Sequence, residues 1–192
     1  MPFPVAVVPA AGRASRFGGR KLLAPVAGRP LIHHTIAALL DAGIPRVVVV
    51  HAPGADWSAV PIVRDARVML VVNAEPERGM FSSIQAGLVE ANGDPIVILP
   101  ADMPFVSPAT VSRIVEAAGL AGEAMVAAHG GRWGHPLALP GRLRADLLRM
   151  DARGSLRDAL ASLASVPRAL EVDDEGVLRD VDVPGDLPPA TA

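Results

Sequence analysis

Apolar bursts alternate with helical patterns from the start of the chain to about residue 120. PVAVVPA, residues 4–10, reads as a strand. In PLIHHTIAALLDAG, residues 30–43, Ile32, Ile36, Leu39 and Leu40 recur at i, i+4, i+7 and i+8, which is one face of a helix. Pro30 suits its first turn and Gly43 its C-terminal cap. RVVVVH, residues 46–51, is continuously apolar and β-branched, the pattern of a strand buried on both faces, and RVMLVV, residues 67–72, reads the same way. MFSSIQAGLVEAN, residues 80–92, predicts a helix running through Phe81, Ile84 and Leu88, with Met80 counted among its core residues. PIVILPAD, residues 95–102, is a fourth strand. SPATVSRIVEAAG, residues 107–119, places Ser107 as N-cap and Pro108 in the first turn, with Val111, Ile114, Val115 and Ala118 on the apolar face.

This alternation implies a mostly parallel sheet covered by helices on both faces, an α/β architecture. Beyond residue 120 the pattern loosens. EAMVAAH (123–129) and HPLALP (135–140) look like strands, RLRADLLRM (142–150) and GSLRDALASLA (154–164) like helices. Ser155 can cap the latter, with Asp158 at N3 favoured by the helix dipole. The tail from Leu170 is expected to form a short hairpin turning at Glu175-Gly176, then a loop, with frayed ends in PPATA. No internal repeat or linker interrupts residues 1–192, so a single domain is expected.

Composition narrows the function classes. The chain has 192 residues, 51% of them apolar, enough for a sizeable core. With 18 basic and 20 acidic residues the net charge is −2, so nucleic acid is not an expected partner and any anion binding must be local. The absence of cysteine excludes disulfides, thiol catalysis and Cys–zinc sites. MPFPVAVVPAAG lacks a basic n-region, and no apolar run reaches ~18 residues, so neither a signal peptide nor a membrane span is expected. Together these features predict a soluble cytoplasmic protein.

VVPAAGRASRFGGRK, residues 7–21, follows an apolar run with three glycines, three arginines and a lysine. It is neither a Walker loop, since Lys21 precedes Leu22, nor G-x-G-x-x-G. Gly12, Gly18 and Gly19 let backbone N–H groups converge on phosphate oxygens, and Arg16 and Lys21 would neutralise a triphosphate. The same composition also suits an ordinary basic surface loop. In open α/β sheets, ligands sit beyond the carboxyl ends of the strands. That rule selects the loop after Pro9, the stretch Asn73 to Gly79, Asp102, and Asp182 near the chain end. Asp102 is either a Mg²⁺ ligand, because Mg²⁺ takes one or two carboxylates with water and phosphate, or a turn cap before Pro104.

PAAGRASRFGGRKLLAPVAGRPLIHHTI, residues 9–36, resembles the signature of the MobA-like nucleotidyltransferases. Within them the chain is most similar to the molybdenum cofactor cytidylyltransferases. NAEPERGMFSSIQAGL, ILPADMPFVSPAT, GHPLALP, DARGSLRDAL and RDVDVPGDL resemble their later segments, in the family's order and over nearly the whole chain. The resemblance implies a Rossmann-like three-layer α/β/α fold and transfer of a nucleotidyl group from an NTP to a phosphate-bearing acceptor. Ala10, Ala11, Gly12, Gly18 and Gly19 would hold base and phosphates; Arg16 and Lys21 would bind the triphosphate. Asp102 and Asp182 would be the Mg²⁺ carboxylates, and Asn73, Ser82 and Ser83 would line the nucleotide or acceptor pocket. AAG at residues 10–12 is closer to the CTP-using than the GTP-using branch, and molybdopterin is the implied acceptor. Two departures stand out: Ala14 occupies the place of a usual serine, with Ser15 next to it, and Pro9 replaces a usual leucine. The alternatives are a cytidylyl- or uridylyltransferase for a sugar phosphate or methylerythritol phosphate, and a catalytically silent partner of a molybdoenzyme.

His33, His34 and His51 read as structural, and His129 has no motif context. His135, in GGRWGHPLAL, is expected in a glycine-flanked turn, where it either touches the acceptor or braces backbone. Trp133 either stacks on a pterin or lids the core.

Overall fold

A computed structural model describes residues 3–12 and 21–187. The elements are β1 (Val5–Pro9), β2 (Pro25–Val26), β3 (Arg29–Pro30), α1 (Leu31–Asp41), β4 (Val47–His51), β5 (Val68–Val72), α2 (Met80–Glu90) and β6 (Ile96–Ile98), followed by α3 (Pro108–Ala121), β7 (Met125–His129), β8 (Arg132–Leu139), α4 (Arg144–Arg149), α5 (Leu156–Ser162) and β9 (Arg168–Glu171). Seven strands form one sheet in the order β5-β4-β1-β6-β8-β7-β9, and β2 pairs with β3 separately. β1, β4, β5 and β6 run parallel, as do β7 and β9; β8 runs antiparallel to both β6 and β7.

The central strands alternate their side chains between two helical layers, as the period of two requires. Ala6 and Val8 of β1, with Val47 and Val49 of β4, pack in the cluster that holds Ile32, Ile36 and Leu39 of α1 and Val111 and Ile114 of α3. Val5, Val7, Val48 and Val50 face the other way, against Phe81, Ile84 and Leu88 of α2, Leu147 of α4 and Leu160 of α5. Val47 to Val50 are wholly inaccessible, which explains their unbroken apolar run. Each such side chain contributes about 1.5–3 kcal/mol by leaving water. Gly87 sets how close α2 comes to the sheet, because a Cβ there would collide with Val7. The fold is thus a three-layer α/β/α sandwich with a mostly parallel sheet.

Caps fall where the polar residues predict. Ser107 Oγ accepts from Thr110 N (3.2 Å), and Ser155 Oγ accepts from Asp158 N (3.1 Å). Gly43 takes φ 83° just past α1. Pro30 lies one residue outside the helix, at the end of β3.

Three expectations fail for physical reasons. β5 is not buried on both faces: it is the sheet edge, and Leu70 and Val72 are 39% and 53% exposed. Apolar content alone does not distinguish an edge from a centre. The strand expected at residues 135–140 begins at Arg132, because Gly130 and Gly131, both with positive φ, make a two-residue hairpin turn from His129 to Arg132.

The C-terminal hairpin is absent. Residues Arg168–Glu171 pair in parallel with β7, and Glu175–Leu178 form a single 3-10 turn. Asp174 holds that arrangement. Its Oδ2 accepts from Ser107 N (3.0 Å) and Thr110 Oγ1 (2.6 Å) at the start of α3, and its Oδ1 accepts from Gly176 N (2.9 Å). Gly176 passes so close to the Phe105 carbonyl that no side chain fits there. Val181 N then donates to Asp102 O (3.0 Å), tying the tail to the end of β6. The terminal PPATA lies outside the described residues.

Burial alone would raise the Asp174 pKa, but the hydrogen bonds from Thr110, Ser107 and Gly176 outweigh it and hold it below the ordinary carboxylate range. Its stabilising contribution is therefore complete above about pH 4 and is lost as pH falls through the depressed value. Asp174→Ala should cost about 1–3 kcal/mol at pH 7, the range for hydrogen bonds to a charged group. The gap between wild type and variant in urea denaturation should narrow at acid pH; no loss at pH 7 would refute the clamp.

Candidate functional site

The chain runs outward from β1 through β4 to β5, then returns to place β6 on the other side of β1. The loops after β1 and β6 therefore diverge, opening a crevice at the carboxyl ends of the strands. A cleft of about 450 Å³ lies there. It collects parts of all four places selected from the sequence: Ala10 to Gly12, the stretch around Gly79, Asp102, and Asp182.

One end of the cleft is charged. Lys21 is only 8% exposed, and its Nζ donates to Asp102 Oδ2 at 2.8 Å and to Asp182 Oδ1 at 2.9 Å. Burial pushes the Lys21 pKa down, but the hydrogen bonds and charges of the two carboxylates more than compensate, so it stands above the ordinary lysine value. The ammonium is charged at neutral pH. Asp102 lies in the turn beyond β6, after Leu99, Pro100 and Ala101, rather than in the strand expected at residues 95–102, whereas Asp182 arrives on the tail anchored by Asp174 and by the Val181–Asp102 backbone bond.

A third carboxylate, Asp180, was not singled out from the sequence. Burial first, and then the charges of Asp182 and Asp102, raise its pKa, against a lowering by its own backbone. The available signal was the i, i+2 spacing in DVDVP, which sets both aspartates on one side of an extended segment.

The other end is nearly uncharged. Ala10 and Ala11 continue β1, with Ala10 N donating to Val50 O at 2.7 Å. Gly12 lines the cleft, and a Cβ built on it meets nothing within 4 Å among the described residues. Opposite lies the start of α2. Asn73, 5% exposed, donates from Nδ2 to Ser82 Oγ (2.8 Å) and Ser83 Oγ (3.0 Å), and its Oδ1 accepts from Glu75 N (3.0 Å). Ser82 Oγ donates in turn to Gly79 O (2.7 Å). The Asn73 side chain is thus committed to protein partners and holds the turn before α2. Of these three residues, Ser83 lines the cleft, and among the described residues its hydroxyl donates to no protein acceptor. Met80, expected in the helix core, is 58% exposed and lines the cleft instead; as the first residue of α2 its side chain lies over the turn before it, off the core face. Phe81 and Ile84 are buried as expected.

Arg16, Gly18 and Gly19, and with them Ala14 and Ser15, lie outside the described residues. His135 and Trp133 are not in a turn but within β8, and neither lines the cleft. Trp133 is 49% exposed. His135 Nδ1 is buried with no hydrogen-bond partner among the described residues. Burial lowers the His135 pKa, partly offset by the Asp102 charge and the Ile98 backbone, so the ring is neutral at pH 7. The other histidines make local contacts: His34 Nε2 with Val26 O (2.7 Å), His33 with Arg29 (3.3 Å), His51 Nδ1 with Ala52 O (2.9 Å), and His129 Nδ1 with Val172 O (2.9 Å).

The donor set at the charged end fits a divalent cation bound together with a ligand. Asp102 and Asp182 converge on one cation, the Lys21 ammonium, so the space between them accommodates positive charge. Among the described residues no group of three or more histidine and carboxylate side chains could hold a metal alone. An ion there would draw the rest of its shell from water or phosphate, which is how Mg²⁺ is usually bound.

The MobA-like NTP transferase domain family matches residues 6–167. The bifunctional protein GlmU of Rhodospirillum rubrum is 35% identical over 90% of the chain and 38% of its own length. The 2-C-methyl-D-erythritol 4-phosphate cytidylyltransferase of Nocardia farcinica is 36% identical over 58% of the chain and 49% of its own length, and a probable molybdenum cofactor guanylyltransferase of Haloferax mediterranei 33% identical over 56% and 51%. The matched stretch spans between 25% and 54% of the length of these and other curated relatives it resembles. Among solved structures, Rv0371c of Mycobacterium tuberculosis superposes with a TM-score of 0.77 at 28% identity, covering 96% of this chain and 95% of that one. A structure of Rv0371c complexed with manganese gives 0.75 at 26% identity, over 97% and 95% of the two chains.

The two ends of the cleft should respond differently to substitution. Asn73→Ala should cost about 1–3 kcal/mol, because it takes away the acceptor of the Glu75 N–H and the donor to the Ser82 and Ser83 hydroxyls. Gly12→Val should stay within about 0.5 kcal/mol of wild type, since its side chain enters open space. Urea denaturation ranks the two; the reverse order would contradict this division of roles.

Proposed function

Because the chain belongs to the family of MobA-like NTP transferase domains, we propose that it transfers a nucleoside monophosphate from a nucleoside triphosphate, CTP, to a phosphate-bearing acceptor, molybdopterin, with release of pyrophosphate. The observation that carries this reading is the meeting of Lys21, Asp102 and Asp182 at one end of a cleft whose remaining lining, Glu77 apart, is uncharged. Such a cleft suits a molecule that is anionic at one end and a flat heterocycle at the other.

In the reaction an acceptor phosphate oxygen bonds to the α-phosphorus of the triphosphate, and the bond from that phosphorus to the bridging oxygen breaks. No protein nucleophile is required, because the acceptor is already ionised at neutral pH. The chain contributes positioning and charge. Lys21 and Arg16 supply positive charge to the phosphates. Gly12, with Gly18 and Gly19, lets the backbone approach them. Ser83 offers a hydroxyl proton to the base or acceptor, and Asn73 and Ser82 position it. Mg²⁺ held by Asp102 and Asp182 would neutralise and orient the triphosphate. The manganese complex of Rv0371c supports a divalent ion in this fold. Ala10 and Ala11 narrow the neutral end, which favours a pyrimidine over a purine. His135, whose Nδ1 has no partner among the described residues, and the half-exposed Trp133 are proposed on the acceptor side.

A second acceptor is favoured by one observation: the Nocardia farcinica cytidylyltransferase for methylerythritol phosphate is as similar as the molybdenum cofactor relative. Pyrophosphate release, measured with each NTP and with molybdenum cofactor or methylerythritol phosphate, separates the readings. CTP with molybdenum cofactor is the expected pair; release only with methylerythritol phosphate would retain the transfer and replace the acceptor.

Asp102→Asn should fold normally, because the residue lies in a turn and is only partly buried, and should lose on the order of 10²-fold or more in turnover. Undiminished turnover would remove Asp102 from the site. Ala11→Gly should weaken the preference for CTP over GTP in the same assay, without producing full GTP use.

A further inference from the structure

Lys21 stands where the geometry calls for a metal. Its ammonium lies within 3 Å of one oxygen on each of two carboxylates, and those carboxylates are the only side chains we assign to a divalent ion. Its stem is buried, so the head is not a surface lysine sampling many positions. Asp102 Oδ2 and Asp182 Oδ1 are thereby occupied by a cation belonging to the chain itself. A Mg²⁺ or Mn²⁺ ion taking either oxygen at about 2.0–2.2 Å would compete with the ammonium for its negative charge. Placing it beside the ammonium instead would set like charges against each other.

We infer that Lys21 is the resident cation of the nucleotide-free cleft and excludes a divalent ion from Asp102 and Asp182 until a triphosphate draws the ammonium away. The inference rests on the reading of the cleft as a triphosphate site. Lys21 has two sets of anionic partners, the carboxylate pair and the phosphates, and it serves each in turn. In the free protein it holds apart two carboxylates that would otherwise repel, and keeps the tail seated against the end of β6. When the phosphates enter beside Gly12, they offer Lys21 more negative charge than the aspartates do. Moving to them vacates the carboxylates at the moment a divalent ion arrives with the nucleotide. Metal and nucleotide therefore bind with positive coupling, each more tightly in the presence of the other.

The test is Mn²⁺ binding, followed by the paramagnetic resonance of free Mn²⁺ and by calorimetry. Wild type without nucleotide should bind Mn²⁺ weakly. Lys21→Met, which keeps the buried stem and removes the charge, should bind it at least tenfold more tightly at the same protein concentration. That gain should vanish in Lys21→Met combined with Asp102→Asn. A non-hydrolysable CTP analogue should tighten Mn²⁺ binding to wild type and shrink the difference between wild type and Lys21→Met. Equal Mn²⁺ affinity of wild type and Lys21→Met without nucleotide would overturn the inference. The wild-type measurement also stands by itself: tight, one-to-one Mn²⁺ binding without nucleotide that Asp102→Asn abolishes overturns it whether or not the lysine variant folds. Exchange without pyrophosphate release from any NTP would keep the inference and discard the reaction, whereas turnover of CTP with equal Mn²⁺ affinities would do the reverse.

Discussion

The ammonium of Lys21 neutralises two carboxylates that reach it from different parts of the fold. Asp102 comes from the turn beyond the central strand β6, Asp182 from the C-terminal tail. Neither carboxylate would tolerate the other so near in a partly buried cleft without a cation between them. The arrangement of the tail follows from this requirement and serves it: Asp174 pins the chain to the start of α3, and the Val181–Asp102 backbone bond delivers Asp182 to its partner. A segment that carries little of the core thus completes the charged end of the cleft.

The opposite end is organised by hydrogen bonds instead of charge. Asn73 spends its side chain on Glu75, Ser82 and Ser83, and fixes the turn from which α2 begins. That leaves Ser83 facing the cleft from a rigid support. A site built this way separates the residues that touch a ligand from those that hold them, and both kinds were grouped together when read from the sequence. The asymmetry between a charged and a neutral end also gives the cleft a direction, which is the basis for orienting a nucleotide within it.

The central elements were legible because their patterns have only one outcome. Val47 to Val50 are continuously apolar, as a strand covered on both faces requires, and Ile32, Ile36 and Leu39 fall on one stripe only in a helix. Ser107 and Ser155 announced their helix starts through local bonds that need no tertiary partner. RVMLVV was misjudged because an edge strand and a central strand share the same composition; what differs is the number of neighbours. The HGGR turn was legible in principle, since paired glycines suit a two-residue hairpin, and it moves Trp133 and His135 from a loop into β8.

The sequence by itself determined the three-layer α/β architecture, the family, and the strand ends where polar residues gather, because periodicity, caps and ordered motifs are properties of short stretches. Only the tertiary structure decided which of those residues meet. The Lys21–Asp102–Asp182 contact and the course of the tail through Asp174 depend on segments far apart in the chain being brought together by the sheet. Long-range contacts of this kind are set by packing geometry and by the need to satisfy buried charge, and no local pattern encodes either.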